Sequence, residues 1–411
     1  MKEKALNWGQ QFSTFCFLDN HQYQIQPHSM ECMLAAGEKR SIRTNAGNAL
    51  EKLQSFIEAK PGWFFGHLGY DLKNEIDHLT SSHHDGIQFP DLFFFEPEII
   101  IQLNEREIII EGNEPQKIFA SINSSNQSSK PSANTSIEIK NRVHKEEYCS
   151  LINSLRQHIL RGDCYEINFC QEFFAENVII NPVEIYEKLS FISPNPFSAL
   201  YKVNDKWLVC ASPERFLKKE GGNILSQPIK GTSKRINSDA EKDKLSKEQL
   251  LHSSKERSEN VMVVDLVRND LAKVCKEGTV KVDELYGIYS FPQVHQMIST
   301  VSGELKENIS FSEIIKATFP MGSMTGAPKK NVLKLIEQYE KTKRGIFSGA
   351  VGYISPNGDF DFNVVIRSIM YNEKDKYLSF QTGSGITFYS EPEKEWEECL
   401  LKAEAMKKVL Q

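Results

Sequence analysis

Lys230 stands in the run Gln227-Pro228-Ile229-Lys230-Gly231-Thr232, between a proline and a Gly-Thr pair. A lysine restrained on both sides in this way is expected on a turn. Held there, it can serve as a positioned amine nucleophile once desolvation or a neighbouring cation lowers its pKa from about 10.4. A solvated loop lysine is the plain alternative, since lysine is mostly exposed. Two glutamate pairs have the spacing of a shared helix face: Glu256 with Glu259, and Glu395 with Glu398. Lys402 follows Glu398 by four residues and continues that stripe. Four carboxylates facing one another would repel unless a cation sat between them. Oxygen-only ligands with room for water suit Mg²⁺. Two amphipathic helices with solvated glutamates would show the same spacing, and spacing alone does not bring the helices together.

The elements that must hold these residues can be read from periodicity. Residues 255–276 read as a helix, with Val264, Val267, Leu271 and Val274 on one face and Gly278 beyond its end. A last helix starts near Pro392 and buries Trp396, Leu400, Ala403 and Met406. Residues 144–161 form a helix stopped by Gly162, and Pro328 opens another. Strands are expected at 169–174, 207–211, 349–354 and 361–370, and a hairpin joins 98–101 to 107–110. Strands linked through short turns favour an antiparallel α+β design over a doubly wound sheet. The Ser/Asn-rich stretch 121–136 has almost no large apolar residue and reads as a flexible linker or long loop. It suggests a division into a region 1–120, a linker 121–138 and a catalytic domain 139–411.

The chain has 411 residues, 40% hydrophobic and 25% charged, with a net charge of -6. That is ordinary globular composition, with nothing to favour a nucleic-acid surface. No apolar run has signal-peptide or transmembrane length, so neither a membrane nor a nucleic-acid partner is expected and the cytoplasm is the expected location. None of the eight cysteines stands in a CxxC or other zinc spacing, and reduced core thiols are expected.

Longer motifs follow one another along the chain: Ser212-Pro213-Glu214-Arg215-Phe216, Pro228-Ile229-Lys230-Gly231-Thr232, Glu256-Arg257-Ser258-Glu259-Asn260, Phe319-Pro320-Met321-Gly322-Ser323-Met324-Thr325-Gly326-Ala327-Pro328, and Gly383-Ser384-Gly385-Ile386. In this order they resemble the chorismate-utilising enzymes, which include component I of anthranilate synthase, component I of aminodeoxychorismate synthase, and the isochorismate and salicylate synthases. The likeness is strongest over residues 140–411 and weaker before them, where Gly62-Trp63-Phe64-Phe65-Gly66-His67 carries it. The resemblance implies an α+β fold of two antiparallel-rich sheets packed face to face with helices outside. It implies Mg²⁺ on the ring carboxylate of chorismate, with Glu259 and Glu398 as ligands and Glu256 and Glu395 behind them or acting through water. Glu214 would be the general acid or base at the departing hydroxyl. Arg367 and Lys402 would hold substrate carboxylates, and a Gly383-Ser384-Gly385 turn would offer N–H groups to an anion. Thr232, His295 and Thr325 match pocket positions.

Within this family Lys230 separates the branches. Anthranilate-forming members resemble the chain but carry a small residue at that position, whereas aminodeoxychorismate-forming members carry lysine. The resemblance therefore implies attack of Lys230 on C2, loss of the C4 hydroxyl, and entry of ammonia at C4, with the lysine neutral when it attacks. Glu166 stands where the water-adding members place a lysine base and the amidotransfer members a glutamine, and Cys399 and Leu401 stand where Thr and Asn are common. With no Gly-x-Cys-x-Gly elbow in the chain, ammonia is expected from a separate glutaminase subunit. An anthranilate-forming enzyme is the second reading. A non-catalytic chorismate- or tryptophan-binding regulator is the third, and the retained glutamates speak against it.

Overall fold

The computed structural model describes residues 1–23, 31–125 and 137–411. Among them every ladder between named strands is antiparallel, and the fold is α+β as expected. One sheet runs in the order Glu166–Ala175, Tyr377–Ile386, Ser368–Asn372, Lys206–Ser212, Phe197–Val203, Thr14–Asp19, Cys32–Thr44, Leu92–Leu103. The other starts from the same Leu92–Leu103 strand and continues through Phe64–Leu68, Ala350–Ile354, Phe360–Asn363, Arg215–Glu220 and Asn223–Gln227 to Val294–Glu304. Ile229–Lys234 and Lys281–Ser290 flank that last strand. The long strands Cys32–Thr44 and Leu92–Leu103 turn the corner between the sheets at an irregularity beside Glu38 and Arg40, as bulges do.

Side chains of both sheets meet in one core, where Met33, Tyr201 and Cys210 pack with Phe64, Phe94 and Phe362. A second core lies under the helices Lys145–Leu160 and Pro392–Leu410, against Phe173, Phe380 and Leu378. Residues before 120 and after 139 share the hydrogen-bonded network, because Thr14–Asp19 pairs with Phe197–Val203 and Phe64–Leu68 with Ala350–Ile354.

The helix expected at 255–276 runs Ser254–Ala272, capped by the Ser253 hydroxyl on the Glu256 N–H, and buries Val263, Val264, Val267 and Leu271. The last helix is Pro392–Leu410; it buries Trp396, Cys399, Ala403 and Met406, with Leu400 half-buried beside them. Cys399 accepts from Gln171 Nε2 at 3.2 Å and meets Thr382 Oγ1 at 2.8 Å, so it packs and links the helix to the sheet. Seven of the eight cysteines are buried thiols and Cys149 is partly so. Two expectations are corrected. The linker does not begin at 121: Ser121–Ser124 complete the helix Pro115–Ser124, anchored by the buried Ile122, and the remainder of that stretch, 126–136, lies outside the described residues. The strand expected at 361–370 is two strands, Phe360–Asn363 and Ser368–Asn372, interrupted where Arg367 takes a left-handed backbone with φ 50°.

Arg344 ties the walls of the site together. It is 1% exposed beside Glu340 at 2.6 Å, and it donates to the carbonyls of Asn168 and Met324. Glu340 in turn accepts the Cys170 N–H at 2.8 Å. Removing one partner of a buried pair strands the other charge. We expect Arg344→Met to lower the unfolding free energy by about 3–5 kcal/mol in urea titrations.

Candidate active site

Lys230 lies in the strand Ile229–Lys234 rather than on a turn. The register slips between Ile229 and Thr232 against Val294–Glu304, and Gly231 sits at φ 95°. Such a bulge re-aims one side chain out of the strand's alternation. The lysine points inward, with its Nζ 2.6 Å from Glu166 Oε1; the two side chains are 11% and 1% exposed. Gly385 lies against this pair: a Cβ there would stand 2.9 Å from Lys230 Nζ, 3.0 Å from Glu166 Oε1 and 3.5 Å from Glu259 Oε2. Two distant segments, at Glu166 and Glu259, thus converge on one amine, and the missing side chain of a third residue, Gly385, makes room for it.

The expectation of a depressed lysine is corrected by these neighbours. Burial works to lower the Lys230 pKa, but the charges of Glu166, Glu259 and Glu214 outweigh it and hold the amine above its ordinary range, as an ammonium. Glu214 follows the strand Lys206–Ser212, its N–H donating to Ser212 Oγ at 3.2 Å and its carbonyl accepting from Val364 N at 3.0 Å. Burial pushes its carboxyl up to about 7, which Ser323, Lys230 and the Ile229 amide only partly offset. A carboxyl in that range can give up or accept a proton near neutral pH.

The two acidic helices do meet. Lys255 Nζ stands 3.9 Å from Glu259 Oε1 on its own helix and 3.9 Å from Glu395 Oε1 on the C-terminal helix. Lys255 was missed in the sequence, although its place four residues before Glu259 is an ion-pair spacing. Burial raises Glu259 to about 7 and raises Glu256, whereas Lys402, 2.8 Å from Glu398, holds Glu398 below the usual carboxylate range. Glu395 accepts from the Ser384 hydroxyl. Among the described residues no three His, Cys, Asp or Glu side chains form a metal-holding group. A Mg²⁺ ion needs fewer, because it commonly keeps several waters and takes only one or two carboxylates with the substrate. Glu259 Oε1 is buried without a hydrogen-bond partner, and an orphaned carboxylate oxygen between two acidic helices fits a hard cation.

Arg367 carries no side-chain hydrogen bond or ion pair among the described residues, and burial alone lowers it to about 10. An unpaired, half-buried guanidinium is a site for an anion. Gly383-Ser384-Gly385 is not a turn. It lies in Tyr377–Ile386, paired with Glu166–Ala175 in the register Gly385↔Asn168, and the opposite edge has the Ser368–Asn372 strand only as far as Phe380. Beyond Phe380 alternate N–H groups face an edge with no strand partner among the described residues, so donors are present, but from extended backbone. Lys402 also donates to the Gly383 carbonyl at 2.8 Å. Thr232 is exposed and lies opposite Gln296. His295 is on the other face of its strand, 1% exposed, with Asp243 at 3.1 Å on Nε2 and Ser290 at 2.8 Å on Nδ1, so both ring nitrogens are engaged there. Thr325 is fully buried, with its hydroxyl on the Met321 carbonyl and its own carbonyl accepting from Asn168 N.

Two acidic helices and an inward lysine meet on this α+β scaffold, and Arg367 stands unpaired among the described residues. The chain belongs to the chorismate binding enzymes, whose family model matches residues 8–408. It is 34% identical over 369 residues to the anthranilate synthase component I-like protein of Synechocystis, covering 87% of this chain and 74% of that one. It is 31% identical over 366 residues to aminodeoxychorismate synthase component 1 of Bacillus subtilis, covering 85% and 77%. The fold is that of anthranilate synthase component I from Streptococcus pneumoniae, with a TM-score of 0.81 over 94% of both chains at 24% identity.

Gly385 is at an ordinary φ, so alanine there strains no backbone and meets chiefly the lysine and Glu166. Gly385→Ala should lose turnover while its melting temperature stays within about 1 °C of the parent, a shift worth roughly 1 kcal/mol or less for a chain of 411 residues.

Proposed function

We propose that this chain is the chorismate-converting component of an aminodeoxychorismate synthase, forming 4-amino-4-deoxychorismate for p-aminobenzoate and folate synthesis. The observation that carries the reading is the Lys230 amine, drawn out of its strand into a buried pocket with Glu166, Glu259 and Gly385 around it. In this reading Lys230 forms a bond to C2 of chorismate as the ring double bond shifts and the C4–O bond breaks. Glu214, protonated at its raised pKa of about 7, delivers the proton that lets hydroxide leave as water. Ammonia then bonds to C4 and the lysine departs from C2. Arg367 and Lys402 hold substrate carboxylates, aided by N–H groups of 383–385, and the open face of Thr232 lines the approach. Holding the reacting atoms in one site replaces a bimolecular encounter.

Glu259 and Glu398 would hold Mg²⁺, with Glu256 and Glu395 supporting them, and the bound ion would neutralise a substrate carboxylate and act as a Lewis acid. Ammonia would come from a glutaminase partner, in keeping with the component names of the relatives. No described helix is long and apolar enough to cross a membrane, and we assign the enzyme to the cytoplasm.

Similarity to an anthranilate synthase component I-like protein favours anthranilate formation as the second reading; Lys230 favours the first. Incubation with chorismate, Mg²⁺ and an ammonium salt, followed by the lyase that aromatises the aminated product, should yield p-aminobenzoate. Anthranilate formed without the lyase would support the second reading, and absence of turnover a regulatory protein. Lys230→Ala should lose most aminodeoxychorismate formation. Glu259→Gln and Glu398→Gln should abolish the magnesium response together with turnover, and unchanged magnesium titrations would remove them as ligands. Because Glu214 must carry its proton to act, turnover should fall as pH rises through about 7, and Glu214→Gln should cost about 10²–10⁴ in kcat.

A further inference from the structure

Glu166 has one carboxylate oxygen on Lys230 at 2.6 Å and the other, Oε2, buried with no hydrogen-bond partner. Its side chain is 1% exposed and lies at the start of the strand Glu166–Ala175, paired across Ile167 and Asn168 with the end of Tyr377–Ile386. Its pair with Lys230 is the only ion pair that lysine makes among the described residues. The charged groups around the lysine are Glu166, Glu259 and Glu214, with Glu256, Glu398, Lys255 and Lys402 at the rim. All but Glu166 stand beyond ion-pair distance of the lysine. The ammonium cannot attack carbon, bulk water reaches it poorly, and the carboxylate already hydrogen-bonded to it provides the shortest route for a proton.

We propose that Glu166 is the base that frees the Lys230 amine, taking its proton directly along the existing hydrogen bond and returning it when the lysine is released. The inference rests on the lysine-nucleophile reading above. The pair passes from ammonium and carboxylate to amine and carboxylic acid with no change in net charge, which suits a desolvated pocket. The amine then bonds to C2, the C4–O bond breaks, and Glu214 supplies the proton that makes the departing group water. When ammonia bonds to C4, the C2–N bond breaks and the electron pair returns to the lysine as a neutral amine. Glu166 hands back its proton and restores the ion pair, while the new C4 ammonium reprotonates Glu214. Overall, chorismate and ammonia give aminodeoxychorismate and water, and neither carboxyl is consumed.

The test uses the full chain with Glu166→Gln, nearly equal in shape, and Glu166→Asp, which keeps the carboxylate. Lyase-coupled turnover is measured across pH, alongside cyanate carbamylation of Lys230 followed by peptide mass spectrometry. We expect Glu166→Gln to keep KM for chorismate within about threefold and lose about 10²–10⁴ in kcat, with the residue of activity rising with pH as solvent takes over the proton, up to the pH of about 7 at which Glu214 loses its own. Glu166→Asp should recover part of kcat. Carbamylation of Lys230 should move to lower pH in Glu166→Gln, because the partner holding the ammonium is gone. Parental kcat in Glu166→Gln, or an unmoved carbamylation profile, would overturn the proposal. The carbamylation arm reports on the pair without turnover. A parent that makes only anthranilate, or nothing, would therefore defeat the functional reading separately.

Discussion

Charge confined in a place with little water is the constraint on which the site depends. Glu166, Glu214, Glu256, Glu259, Glu395 and Glu398 come together with three lysines, Lys230, Lys255 and Lys402. The excess of acid is relieved in two ways. Glu214 and Glu259 are pushed towards neutrality by burial, and the lysines are shared between segments, as Lys255 is between Glu259 and Glu395. A cation arriving between the helices would act on this imbalance.

The scaffold bears this strain because its walls are cross-braced away from the chemistry. Arg344 joins the Asn168 carbonyl of one strand to the Met324 carbonyl of the segment opposite, and Glu340 holds the Cys170 amide. The strand that presents Glu166 is thus fixed through its backbone on the Arg344 side and through its ladder to Tyr377–Ile386 on the other. Both cores pack against this pair of strands, through Cys170 and Phe174 in one and Phe173 and Phe380 in the other.

Much of this was legible in the sequence where local pattern and chemistry agree. The apolar stripe expected over 255–276, the Pro392 start and Trp396 face of the last helix, the 98–110 hairpin and the glycine stop at 162 are local signals, and each appeared, although the first of these helices ends at Ala272, short of Val274. The chorismate motifs led to residues that the fold brings together, Lys230, Glu214 and the glutamate pairs, but not to the direction of every side chain. His295 turned to Asp243 because strand parity and register decide which face a residue takes, and register is set by partners far away in the chain. The 383–385 glycines read as a turn in isolation, yet they form a strand because Glu166–Ala175 supplies a ladder. The raised Lys230 was hidden for the same reason: its principal partner is sixty-four positions away. Arg367 showed no local cue for its left-handed backbone.

Alternation along the Glu166–Ala175 and Tyr377–Ile386 ladder has an evolutionary consequence. Glu166 and Gly385 meet only in this register, and a slip by one residue would turn every side chain of the shifted strand to the opposite side. Point substitutions leave this ladder intact, but length variation in these two strands is quantised: lineages could gain or lose residues there only in twos, or by adding a compensating kink. Divergence in this part of the molecule should therefore proceed by exchange of side chains on a frozen lattice, leaving insertions to the connections outside it.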